Sequence, residues 1–268
     1  MPPWQKPGGG GANTAVSRAV LDRAGARLTQ VREIFAMASD VRGGRHFGGR
    51  IAVAPDGMLF VTAGDRADRP SAQDPFSANG KVHRIAPDGA VPPDNPFADG
   101  EAALATVWSL GHRNPQGAAI HPETGALWTI EHGARGGDEV NRPQAGRNYG
   151  WPVISYGRHY SGARIGEGTA KPGMEQPVHY WDPSIAPSGA AFATGDLFPE
   201  WRGDLFAGAL KARRIERLEM TGDAVTGTEI LFDGAFGRIR DVRFGPDGAL
   251  WFLTDAPNGR LLRAAPAD

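Results

Sequence analysis

Residues Ile51-Ala-Val-Ala-Pro-Asp-Gly-Met-Leu-Phe-Val-Thr-Ala-Gly-Asp65 read as strand, tight turn, strand and polar end. Proline presets φ in such a turn and glycine accepts positive φ, which together suit a β-hairpin. The pattern returns at Ala118-Ala-Ile-His-Pro-Glu-Thr-Gly-Ala-Leu-Trp-Thr-Ile-Glu-His132 and at Val242-Arg-Phe-Gly-Pro-Asp-Gly-Ala-Leu-Trp-Phe-Leu-Thr-Asp255. A third strand is expected after the first copy, at residues 81–85, and after the last, at residues 259–264. Residues 204–220 read as a further hairpin, with Leu205-Phe-Ala-Gly208 followed by Arg214-Ile-Glu-Arg-Leu218. Hairpins that recur with one turn chemistry at irregular spacing predict an all-β fold, a β-propeller with long inserted loops. A β-sandwich is the rival, but the first and last turns lie too far apart for a small one.

Working outward, residues 14–36 read as the outer strands of an incomplete blade. Residues 46–98, 104–180, 184–233 and 238–265 read as further blades, the second with a large insertion. A single domain over residues 14–268 is expected, preceded by a flexible Pro/Gly-rich segment at 1–13. That segment has no apolar stretch of signal-peptide type. The chain has 268 residues, with 38 Gly and 22 Pro, which favours many turns and few long helices. Its formal charge of -1 argues against a nucleic-acid or anionic-membrane partner. With no Cys, disulfides, thiolate metal sites and Cys nucleophiles are excluded. No apolar run is long enough to span a bilayer.

Several polar loops carry chemistry. Gly111-His-Arg-Asn-Pro-Gln-Gly117 places a cation, an amide and an imidazole on a glycine-bounded loop that can lie close to a ligand. His46 sits between glycines just before a strand, where an imidazole can act as general base. Asp65 ends the next strand and could orient that imidazole. Against these stand plain readings: a loop His bonded to backbone and a strand-end turn Asp. Residues 133–141, Gly-Ala-Arg-Gly-Gly-Asp-Glu-Val-Asn, offer carbonyl and carboxylate oxygens of the kind calcium takes, but without EF-hand spacing. A solvated acidic loop reads equally well. Lys211, Arg238 and Arg240 come from two hairpin units. Arg238 and Arg240 share a strand face by period-two spacing and need an anion or an acid between them. Asp241 is one candidate, although alternation turns it to the opposite face. Asn148-Tyr-Gly-Trp-Pro152 reads as a packed aromatic turn.

Together these stretches resemble the soluble glucose/sorbosone dehydrogenase family, and within it the pyrroloquinoline quinone (PQQ)-dependent aldose sugar dehydrogenases. The resemblance runs from about residue 12 to the C-terminus. It rests on His46-Phe-Gly-Gly-Arg50, Gly111 to Gly117, Glu131-His-Gly133 with Gly136-Gly-Asp-Glu139, Asn148 to Pro152, Pro183-Ser-Ile-Ala-Pro-Ser-Gly189, Arg238-Ile-Arg-Asp-Val242 and Leu253-Thr-Asp255, in consistent order. It implies a six-bladed propeller, a quinoprotein oxidoreductase, and PQQ and calcium as cofactors. By the same resemblance, His46 is the base that removes the proton from the sugar C1 hydroxyl, and Asp65 is its orienting acid. Arg113, Asn114, Ser184, Lys211, Arg238 and Arg240 correspond to residues that contact the cofactor. The carbonyls of Gly133 and Ala134 correspond to ligands of a catalytic calcium, and Glu139 and Tyr149 to ligands of a structural one. The expected partners are an aldose and an external electron acceptor, and the expected location is the periplasm.

Two departures from the family pattern stand out. About one blade or more is expected before residue 12 and is lacking. The ring then closes smaller, stays open, or is filled by another chain in an oligomer. Ala134 also replaces a frequent proline, beside the larger Arg135. A ligand-binding propeller without turnover and a calcium-dependent lactonase are the competing functional readings.

Overall fold

The Pro-Asp-Gly turn of the opening stretch folds as expected: Gly57 has φ 82° and its N–H donates to Ala54 O at 2.9 Å. It joins strand β3 (Gly48–Val53) to β4 (Leu59–Ala63) in antiparallel register. The computed structural model describes residues 12–37 and 43–267. Of residues 1–13, for which a flexible segment is expected, 1–11 lie outside the described residues, as do residues 38–42.

The chain divides into two compact units, one of Met1–Asn114 with Gln144–Pro152, the other of Pro115–Pro143 with Val153–Asp268. In the first, β1 (Ala15–Asp22) and β2 (Arg27–Ala36) form a two-stranded sheet. A four-stranded meander follows, made of β3, β4, β5 (Lys81–Ile85) and β6 (Val107–Leu110). The polar stretch at residues 86–106 is the loop between β5 and β6. Strand β6 belongs to the first meander and not to the next blade, where residues 104–180 were expected to lie. Lys81 pairs with Leu110, and the strand ends at Gly111, whose φ of 79° breaks the extended chain.

The second unit holds three consecutive antiparallel meanders. β7 (Pro115–Ile120), β8 (Leu127–Glu131), β9 (Asp138–Asn141) and β10 (His179–Trp181) form one. β11 (Pro187–Phe192), β12 (Leu205–Ala209), β13 (Ile215–Thr221) and β14 (Ala224–Leu231) form the next. β15 (Ile239–Phe244), β16 (Leu250–Thr254) and β17 (Leu261–Ala264) form a three-stranded third.

Packing explains why the middle strands are apolar at nearly every position. Ala190, Phe192, Leu205 and Ala207 pack into a cluster with Trp128, Ile130 and Trp181. The alternate residues Ala191, Ala193 and Phe206 pack with Ile239, Val242 and Phe252 on the other side. A sheet covered on both faces has no polar face to show. In the first unit the cores are smaller: Val16, Val61 and Ile85 meet Ile34, Phe35 and Leu59.

One irregularity recurs. The first strand of each meander has a register shift near its start, at Gly48/Ile51, Pro115/Gly117, Pro187/Ala190 and Ile239/Asp241. Such bulges bend a strand and re-aim its side chains. The loops that carry His46, Arg113 and Arg238 each lead into one of these shifts.

Candidate active site

In the first unit, His46 lies two residues before β3. Its backbone is left-handed, with φ 52°. The loop passes so near β4 that a Cβ on Gly64 would collide with the His46 carbonyl, so glycine is required there. Asp65 follows Gly64 and is fully buried. His46 Nδ1 lies 2.6 Å from Asp65 Oδ1. The Ala67 N–H donates to the same oxygen at 2.8 Å, and the Trp151 indole N–H donates to Oδ2 at 2.8 Å. Burial opposes ionisation of Asp65, but the His46 hydrogen bond and charge, with the Ala67 and Trp151 donors, outweigh it. The carboxyl is held below its ordinary range. With Nδ1 engaged, the imidazole's Nε2 carries no hydrogen bond among the described residues, and the side chain is 19% exposed.

Arg113 and Asn114 occupy the loop before β7 and are both buried. The Arg113 carbonyl accepts the Asp65 N–H at 2.8 Å, and Asn114 Oδ1 accepts the Gly48 N–H at 3.1 Å. The Arg113 guanidinium lies 5.2 Å from the centroid of Trp151. His46, Asp65, Arg113, Asn114 and Trp151 therefore form one connected cluster. Tyr149 stands apart from it: its ring stacks on His112 at 4.9 Å and its hydroxyl accepts the Gln144 N–H at 3.1 Å.

In the second unit, the candidate calcium loop is organised by Asp138. Its Oδ1 accepts the Gly133 N–H at 2.8 Å, while its Oδ2 accepts the Ser184 hydroxyl at 2.7 Å and the Ala186 N–H at 3.0 Å. Asp138 thus joins the Gly133–Ala134 loop to the Ser184 loop. A Cβ on Gly133 would meet the carbonyl oxygens of Gly136 and Gly137, which keeps the loop tightly folded. Ser184 and Lys211 line one cleft of about 500 Å³, together with Asp182, Arg214 and Glu216. The Lys211 ammonium forms no ion pair among the described residues.

Arg238 and Arg240 converge on one acid, and it is Asp255 rather than Asp241. Arg238 Nε donates to Oδ2 at 2.8 Å and Arg240 Nη2 to Oδ1 at 3.0 Å. Asp241 lies 3.3 Å from Arg243 instead. Asp255 stands across the strand pair from Arg238, whose carbonyl accepts its N–H at 2.8 Å. Glu139 lies on β9 beside Glu131 of β8, and Asn141 Nδ2 donates to both, at 3.1 and 2.9 Å. Burial first, and then the Glu131 charge, push the Glu139 carboxyl well above the ordinary carboxylate range. Asn141 Oδ1 is buried without a hydrogen bond. No group of three or more His, Asp or Glu side chains is arranged to hold a metal among the described residues. A cation here would depend on main-chain and amide oxygens as well.

Sequence reasoning weighed Asp138 as a calcium oxygen ligand but not as the acid that joins two loops, and it gave Trp151, Asp255 and Asn141 no individual role. An acid next to a glycine-rich loop or near an arginine pair was the available signal for Asp138 and Asp255. Trp151 gave none, since its partner lies 86 residues away.

No helix is long and apolar enough to cross a membrane among the described residues. The sequence profile of the Glucose / Sorbosone dehydrogenase family matches residues 4–263. The aldose sugar dehydrogenase YliI of Escherichia coli (strain K12) is 45% identical over 259 residues, covering 96% of this chain and 70% of that protein. A crystal structure of a glucose dehydrogenase superposes with a TM-score of 0.94 at 47% identity, covering 97% of this chain and 76% of the other. The PQQ-bound aldose sugar dehydrogenase of Streptomyces coelicolor gives a TM-score of 0.76 at 31% identity, over 94% of this chain and 72% of its own. The successive antiparallel meanders are of the β-propeller class, as expected. The profile match spans nearly the whole sequence, and the chain belongs to the Glucose / Sorbosone dehydrogenase family.

Proposed function

We propose that this chain is a PQQ- and calcium-dependent dehydrogenase that oxidises aldoses at C1 to lactones. The observation that carries the reading is the His46–Asp65 pair, which leaves Nε2 as the open nitrogen of a partly exposed imidazole. Support for the cofactor comes from the PQQ-bound relative and from residues that suit an anionic quinone. Lys211 is a cation without an acid partner among the described residues, in a cleft shared with Ser184. Arg238 and Arg240 both bond Asp255, which sets two guanidinium groups side by side. For calcium, the Asn141 oxygen and the Glu131–Glu139 carboxylates are hard donors whose crowding a divalent ion would relieve.

In this reading His46 Nε2 takes the proton of the C1 hydroxyl as the sugar carbon becomes a carbonyl carbon. Asp65 fixes the ring through Nδ1 and stabilises the imidazolium that forms. Trp151 and Ala67 hold the Asp65 carboxylate, so its charge stays aimed at the ring. Arg113, Asn114, Ser184, Lys211, Arg238 and Arg240 would bind the cofactor. Gly133 and Ala134 would supply carbonyl ligands to one calcium, and Glu139 and Tyr149 would ligate a second. When bound, PQQ supplies the acceptor for the hydride leaving C1, and calcium supplies charge that polarises it. An external acceptor reoxidises the enzyme, and the periplasm is the proposed compartment.

The test adds PQQ and calcium to purified protein and follows dye reduction with aldoses. Turnover is expected in the wild type. His46→Ala should lose it while calorimetry still records cofactor uptake. Folded wild-type protein that reduces no dye with any aldose would contradict the reading, and cofactor uptake without turnover would mark a binding module.

A further inference from the structure

We propose that Arg66 is a positioning residue for His46: its buried guanidinium ties down the loop that presents the imidazole. The inference rests on the reading of His46 as the base. Arg66 is 1% exposed. Its Nη2 donates to Ala12 O at 2.8 Å and to Gly43 O at 2.6 Å, and its Nη1 donates to Arg45 O. Its guanidinium carbon lies 3.4 Å from the centroid of Phe47. The loop on either side of His46 is therefore gripped at residues 43, 45 and 47 by one side chain. The Arg66 N–H reaches His46 itself, donating to its carbonyl at 3.3 Å.

The chemistry of the grip is unusual. Arg66 forms no ion pair with a carboxylate among the described residues, and its Nε is buried without a hydrogen bond. Burial opposes the charge, and the neighbouring Asp65 carboxylate acts the other way. A buried cation hydrogen-bonded to carbonyls alone is unfavourable for stability compared with an apolar residue of the same size. What it achieves is geometric. A planar fork with several donors can hold separate carbonyls in fixed directions, and a lysine or an aliphatic chain cannot.

The backbone it holds needs such restraint. His46, Arg66 and Ala67 have φ of 52°, 56° and 65°, a region that non-glycine residues occupy only where surroundings over-determine it. Asp65 and Arg66 thus divide one task between neighbours. The carboxylate grips the imidazole ring, and the guanidinium grips the chain that carries it. A proton acceptor displaced by about 1 Å can lose roughly 10²-fold in rate.

The experiment replaces Arg66→Met and reads two things. The first is the low-field proton resonance of the His46 Nδ1–H donated to Asp65, recorded on protein alone and assigned by its loss in His46→Gln. The second is steady-state turnover with PQQ, calcium and an aldose. The expected outcome is a weakened or absent resonance and a kcat lower by roughly 10²-fold, with KM and cofactor affinity unchanged and partial recovery on adding guanidinium ion. Arg66→Lys, which keeps the charge but not the fork, should behave like Arg66→Met, and it decides the question if the Met variant does not fold. An intact resonance with wild-type kcat in either folded variant would overturn the proposal. Loss of stability with the resonance and kcat retained would do the same, since it marks a purely structural cation. The resonance needs neither sugar nor cofactor, so it still decides the role of Arg66 if the wild type proves unable to oxidise aldoses.

Discussion

At Asp65, burial and hydrogen bonding pull in opposite directions, and the hydrogen bonds win. A carboxyl held below its unfolded value stabilises the fold above that value and loses the contribution as pH falls through the folded one. Asp65→Asn should therefore unfold at a lower temperature than the wild type near neutrality, and the gap should close below about pH 4. Thermal unfolding across that range checks it, and a gap independent of pH would contradict it. The same variant should lose turnover by about 10²-fold or more, since the ring keeps a partner but not a charge. His46 and Asp65 were legible in the sequence because glycines flank the histidine, Asp65 ends a strand, and one hairpin separates them. Their third partner was not. An indole that closes the network from a distant turn looks the same in sequence as one that only packs. The arginine pair shows the same limit: spacing required an acid, but strand pairing, which spacing does not reveal, decided that it was Asp255.

Among the elements, the hairpins announced by Pro-Asp-Gly and Pro-Glu-Thr-Gly turns fold as β3–β4, β7–β8 and β15–β16. Their turns require particular residues, so local sequence determines them. The short strands β6 and β10 carry no such signal, and β6 was placed in the wrong meander because only its pairing with β5 assigns it. The doubly covered sheet β11–β14 predicts a sharp sensitivity. Phe206 is fully buried between Trp201 and Phe244, at ring distances of 5.2 and 5.0 Å. Phe206→Ala should cost about 3–5 kcal/mol in denaturant unfolding, and a loss within about 0.5 kcal/mol, the range of surface sites, would refute that packing. In the β4–β5 region, Lys81 is fully buried and donates to the carbonyls of Ser71, Ala72 and Asn79 at 2.9, 3.1 and 2.7 Å. Burial pushes its ammonium down to about 7, with Asp74 pulling the other way. Between that value and the unfolded 10.5 the unfolded chain binds more protons, so stability from this group rises with pH. Urea midpoints of the wild type minus those of Lys81→Met should climb from pH 7 toward pH 10, whereas a flat difference would mean Lys81 stays charged.

For the molecule as a whole, the balanced charge and missing cysteines narrowed the classes of partner, and the ordered motifs carried the family. The fold class was legible because the hairpins β3–β4, β7–β8 and β15–β16 repeat the same turn chemistry. The cofactor chemistry was legible only as a resemblance, since carbonyl ligands leave no residue-type signature. Calcium should raise the melting temperature of the wild type, and Glu139→Gln should reduce that gain. An equal gain in both would separate Glu139 from the ion. The most direct measurement supplies PQQ, calcium, a dye and an aldose, and counts lactone formed against dye reduced. The account predicts one lactone for each pair of electrons delivered by the wild type and none from His46→Ala. Dye reduction that proceeds without lactone, or persists undiminished in His46→Ala, would contradict it.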